Sequence, residues 1–71
     1  MELDETLEYD IIELIKKRRH QMNLSRKALA DKVGISLIHY MRIERREFSP
    51  SFKILVKILD NLGLRFVITE K

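Results

Sequence analysis

The run Ser25-Arg26-Lys27-Ala28-Leu29-Ala30-Asp31-Lys32-Val33-Gly34-Ile35-Ser36-Leu37-Ile38-His39-Tyr40-Met41-Arg42-Ile43-Glu44 decides the fold of this chain. Its apolar residues recur at helical spacing. Ala28, Leu29 and Val33 line one side of a helix expected over 25–33, and Tyr40 and Ile43 one side of another over 36–45. Ser25 and Ser36 stand where each helix begins, and a serine oxygen there accepts from a free backbone N–H of the first turn. Gly34 stands where the first helix must stop, because glycine enters the left-handed region without a Cβ penalty.

Outward from this run the chain stays helical. A helix over 7–22 is expected from Ile11, Ile15, Arg19 and Met22, with Asn23 as its terminator and residues 1–7 as a frayed or partly helical lead. After a connection at 46–49, Pro50 opens a fourth helix, since a first-turn residue needs no N–H. That helix runs through Leu62, burying Phe52, Leu55, Ile58, Leu59 and Leu62, and ends at Gly63. From Leu64 the period changes to two: Leu64, Phe66 and Ile68 on one face, Arg65, Val67 and Thr69 on the other. One strand cannot satisfy its own backbone, and no second candidate exists in this helical chain. The tail is therefore expected to pair antiparallel with its copy in a homodimer through Leu64, Phe66, Val67 and Ile68. A short extended tail or a fifth helix lying on the core is the alternative.

These elements make a mainly all-α domain of 71 residues, with a helical core at 8–63, a C-terminal strand at 64–71, and little burial to spare. Cysteine is absent, so neither disulfides nor thiolate metal sites reinforce it. No apolar run reaches membrane-spanning length and the first residues are acidic, so a cytoplasmic protein is expected. Charge is segregated. Residues 1–13 hold six acids and no Lys or Arg, while the remainder carries all 14 Lys and Arg against five acids. Such a distribution suits a polyanion partner. For the first helix alone it also suits a helix dipole, with acids at the N-terminus and bases at the C-terminus.

A helix, a tight glycine turn and a second helix at a steep angle form a helix-turn-helix, which offers its second helix to the major groove of DNA. Leu24-Ser25, Ala28-Leu29-Ala30, Val33-Gly34-Ile35-Ser36, Ile43-Glu44 and Pro50-Ser51 together resemble the Xre-type, phage-repressor-like DNA-binding domains over about residues 11–63. In size and tail the chain is similar to the short members, among them antitoxin-type autorepressors related to HigA and HipB. The resemblance implies four to five short helices in a lambda-repressor-like domain. It implies that Arg26, in place of the usual glutamine, meets a phosphate, with Lys27 beside it, as guanidinium suits phosphate well. Ser25 is a cap that also lies near that anion, at a positive helix end.

The resemblance further turns Ser36, Leu37, Ile38 and Arg42 toward the groove, and lays Arg45, Arg46, Ser49, Ser51 and Lys53 along phosphates. Arg42 has the fork to grip guanine O6 and N7. Leu37 and Ile38 stand where polar side chains usually read bases. They are expected either to meet a thymine methyl or to form an apolar patch for a protein partner, unless one packs inward. Arg46 occupies the position where glycine normally ends the recognition helix, so it takes the strain or the helix runs on. Arg19 and Glu44 stand where the family joins its first and third helices by an inward-facing ion pair.

Little else in the chain offers chemistry. His20 and His39 have no acidic or thiol cluster, so no metal site is expected. His39 is read as a phosphate donor or as packing beside the second helix, Tyr40 as core, and Met22 and Met41 as gap-fillers or rim. No phosphate loop, nucleophile–base pair or paired catalytic carboxylate stands out, so neither an enzyme nor a cofactor is expected. Two readings follow. One is a homodimeric transcriptional regulator, most simply a repressor, on a pseudopalindromic double-stranded operator, nucleoid-associated when bound. The other is an antitoxin-type protein that neutralises a toxin and represses their shared operon.

Overall fold

The computed structural model describes residues 5–67, with side chains from Asp10 onward. Four helices follow one another: α1 (Glu5–Gln21), α2 (Arg26–Val33), α3 (Leu37–Glu44) and α4 (Phe52–Asn61). α2 packs against both α3 and α4, and α1 packs against α3. Their apolar stripes meet in one core of Ile12, Ile15, Leu29, Ala30, Val33, Tyr40, Ile43, Leu55, Ile58, Leu59 and Leu62. Burying so many branched side chains is the main stabilising term in a chain without cross-links.

The helix ends share a chemistry. Ser25, Ser36 and Ser51 each cap a helix, their hydroxyl oxygens accepting from the N–H groups of Ala28 (3.0 Å), His39 (3.0 Å) and Ile54 (3.2 Å). All four helices stop at a left-handed residue: Asn23, Gly34, Arg46 and Gly63. The residue that follows donates back to a carbonyl five positions earlier: Leu24 to Arg19, Ile35 to Ala30, Glu47 to Arg42, Leu64 to Leu59. This is the Schellman closure, which satisfies carbonyls the helix leaves open. At Gly34 nothing lies within 4 Å of where a Cβ would stand, so the glycine is required by its φ of 88° rather than by crowding. Arg46, at φ 62°, takes the left-handed strain itself, and α3 does not run on.

Several expectations need correction. α1 begins at Glu5 and ends at Gln21, so Met22 lies beyond it and is exposed, while the buried position beside Ile15 is Ile12. Pro50 does not open α4. Ser51 is the cap and Phe52 the first helical residue, because a serine hydroxyl satisfies an N–H that proline's ring cannot. Phe52 is not core but 57% exposed, its ring edge-on to Phe66 at 5.6 Å. It lies on the apolar stripe, but at the first turn, short of where that stripe is covered.

The tail at 64–67 is irregular, and no strand occurs among the described residues. Leu64 and Phe66 pack onto their own chain's core, while Arg65 and Val67 are exposed, so the alternation of period two persists to Val67. Ile68 and Thr69 lie outside the described residues.

Candidate nucleic-acid interface

A single buried carboxylate organises the turn between α1, α2 and α3. Glu44, 4% exposed, ends α3 on its inner side. Arg19, 6% exposed, donates to it through Nε at 2.8 Å and Nη2 at 3.4 Å, and through Nη1 to the Leu24 carbonyl at 2.9 Å. Tyr40 donates its hydroxyl to the same carboxylate. Arg26 adds a third donor, Nε to Oε1 at 3.2 Å. Burial alone would raise the Glu44 pKa, but hydrogen bonds from Tyr40 and Arg19 outweigh it and hold the carboxyl below its ordinary value. Burial, together with donation to Glu44, pushes the Tyr40 phenol well above its usual range, so it remains a donor. α1 is thereby tied to α3, and the start of α2 is fixed beside both.

Beside that frame, two clefts that share Arg26 and Met41 bring together Ser25, Arg26, Lys27, Leu37, Arg45 and Arg46, while Ser36, Ile38, Arg42 and Ser49 line neither. One cleft, of about 420 Å³, is lined by Arg19, His20, Ser25, Arg26, Lys27, Leu37 and Met41, joining the end of α1 to the starts of α2 and α3. A second, of about 230 Å³, is lined by Lys16, Arg26, Met41, Glu44, Arg45 and Arg46. Cations from α1, α2 and the end of α3 therefore border the flank of α3 that carries Leu37 and Met41. Ile38 stands out from the first turn of α3 at 65% exposure, and Leu37, Arg42, Arg45 and Ser49 are exposed as well. Ser25 and Ser36 keep their cap bonds.

Not every cation reaches outward unengaged. Lys27 pairs with Asp31 at 3.1 Å across one helical turn. Arg46 turns back to α1, its Nη2 2.7 Å from Glu13 Oε1, with Lys16 3.7 Å from the same oxygen. This pairing, absent from the sequence reading, lowers the Glu13 pKa, first through the Arg46 hydrogen bond. The sequence also gave no hint that Arg18 Nε donates to the Leu62 carbonyl at 2.9 Å, pinning α1 to the end of α4. His39 packs edge-on against Phe48 (4.8 Å, 83°), and its buried Nε2 has no hydrogen-bond partner. Among the described residues no group of His, Cys, Asp or Glu has the arrangement to hold a metal ion. No described helix is long and apolar enough to cross a membrane.

This geometry, a capped helix and glycine turn presenting a second helix flanked by cations, defines a helix-turn-helix domain. A family model described as helix-turn-helix, the Xre and lambda-repressor-like class, matches residues 15–68, and the chain belongs to that family. It is a family of DNA-binding domains, and the chain is of the DNA-binding transcription-regulator type. No curated protein and no solved structure matches it.

Proposed function

We propose that this protein is a homodimeric repressor that binds a pseudopalindromic operator and lays α3 of each subunit in a major groove. The observation that carries the reading is the outward first turn of α3 with cations bordering its flank, on a frame locked by Glu44. Arg26, Lys27, Arg45, Arg46 and Ser49 serve phosphates and set register, while Ser36, Leu37, Ile38 and Arg42 face base edges. Two copies related by a two-fold axis address half-sites about one helical turn (~34 Å) apart. Dimerisation through Leu64, Phe66, Val67 and Ile68 is supported by the Val67 side chain, which stands 66% exposed on the outer edge of the tail. Covering a promoter in the cytoplasm then represses it.

The test is selection of duplexes from a random library, followed by binding of the enriched sequence at increasing salt. A palindromic consensus is expected, with log K falling by about 0.9 per phosphate neutralised for each unit of log salt. No enrichment at low salt refutes the reading. Removal of Leu64 to Lys71 should turn a dimer into a monomer in solution, and an unchanged mass refutes that route of assembly. An antitoxin that also holds a toxin is the narrower form of this function. Co-purification of a stoichiometric basic protein from the source cell marks it, given the acidic segment at 1–13.

A further inference from the structure

We propose that the operator is read chiefly through thymine methyl groups, by Ile38 and Leu37, with Arg42 as the one base-reading fork on α3. This deepens the function proposed above and rests on it.

Within α3, Leu37–Glu44, and its N-cap Ser36, few groups are left to face a groove. Sequence is read in the major groove by donors, acceptors and apolar surface matched to each base pair. The polar groups of α3 are nearly all engaged inside the protein. Tyr40 is wholly buried and spends its hydroxyl on Glu44, and Glu44 is itself enclosed by Arg19, Arg26 and Tyr40. His39 turns its ring onto Phe48 with Nε2 buried. Ser36 holds the helix cap, and the hydroxyl hydrogen it retains suits any base pair about equally. Arg42 is left as the exposed group able to donate a bidentate pair.

What α3 offers beyond that fork is hydrocarbon. Ile38 and Leu37 are exposed on its first turn, the part of a recognition helix that enters deepest. An exposed isoleucine needs no explanation by itself. Ile38, however, stands on the first turn of a helix whose own polar side chains are nearly all engaged elsewhere. Thymine carries the one apolar group on the major-groove edge of the four standard bases, its C5 methyl. The charge around the pair also selects the occupant. Arg26 and Lys27 line the same cleft as Leu37, and Arg42 lies one turn along α3 from Ile38, which fits a polyanionic duplex. Each half-site should therefore place one or two thymines under Ile38 and Leu37, with a guanine one helical turn along α3 for Arg42.

Deoxyuridine, which pairs as thymine does but lacks the methyl, tests this directly. Duplexes enriched by the full chain are resynthesised with deoxyuridine replacing each thymine in turn, and binding is followed by fluorescence anisotropy. One or two positions per half-site should lose about fourfold in affinity, the worth of burying one methyl. Ile38→Ala should fold normally by circular dichroism and be insensitive to deoxyuridine at one of those positions. Tolerance of deoxyuridine everywhere, or an Ile38→Ala variant with the parent's pattern, overturns the proposal and leaves the apolar pair to a protein partner. Failure to enrich any duplex overturns the DNA-binding reading itself, which separates the two failures.

Discussion

Replacing Glu44 with alanine should cost this domain a third or more of its stability while leaving the exposed face of α3 chemically unchanged. The magnitude follows from what remains behind. Arg19, 6% exposed, would keep its bond to the Leu24 carbonyl but lose both donors to Glu44, leaving a buried cation without its counterion. The Tyr40 hydroxyl, wholly buried, would lose its acceptor. Arg26 adds little because its side chain is 53% exposed and water screens it. Breaking one partner from a buried pair costs about 3–5 kcal/mol. A domain of 71 residues has about 4–10 kcal/mol in total. At ~4–8 °C per kcal/mol, the melting midpoint should fall by at least ~12 °C. Thermal and urea unfolding followed by far-ultraviolet circular dichroism measure it, with Glu44→Gln, which keeps shape and an acceptor oxygen, falling between. A Glu44→Ala protein that melts within ~4 °C of the parent would refute the reasoning. The same carboxylate sets the acid limit. Its pKa is lower folded than unfolded, so its contribution is present above about pH 4.5 and disappears as pH falls through the folded value. A urea midpoint unchanged from pH 6 to pH 3 would contradict this.

Three further outcomes are expected. Gly34→Ala should destabilise by about 1 kcal/mol through the left-handed φ alone, as nothing crowds the added methyl; an unshifted urea midpoint would contradict it. Arg46→Gly should relieve the same strain at the end of α3 but also remove the Glu13 pair and free the unfolded chain, so stability should change by less than about 0.5 kcal/mol while DNA binding weakens, both measurable on one preparation. Glu13→Gln should remove the carboxylate that draws Arg46 and Lys16 back along α1. Affinity for duplex DNA at low salt should rise roughly two- to fivefold, the scale of an exposed ion pair, whereas Asp60→Asn, the same charge change on α4, leaves it unchanged. Equal effects of the two variants would show only a general charge response.

Local rules made much of this fold legible. The serine caps at Ser25 and Ser36, the glycine stops at Gly34 and Gly63, and the stripes of α2 and α3 are each written within a few residues. Errors arose where two local signals competed or where the partner was distant. Pro50 and Ser51 are adjacent and both mark a helix start, and only the hydroxyl's bond to Ile54 separates them. The stripe of α4 includes Phe52, but periodicity does not record where the neighbouring helices stop covering it. Ion pairs follow the same division. The i to i+4 pair of Lys27 and Asp31 is visible in sequence, whereas Glu13 and Arg46 meet across 33 positions, through a backbone turn that only the fold defines. Among the candidate contacts, spacing identified which residues belong to α3 but not that His39 would turn to Phe48.

Arg26 hangs from Glu44 by one bond, whereas Arg19 grips it with two and a backbone carbonyl besides. The unequal sharing divides labour between the arginines. Arg19 is held by three hydrogen bonds in the interior, while Arg26, its side chain 53% exposed, is the arginine the frame can lose at least cost. Were Arg26 drawn to an anion, Glu44 would still accept from Arg19 and Tyr40, and the junction of α1 with α3 would keep its bonds.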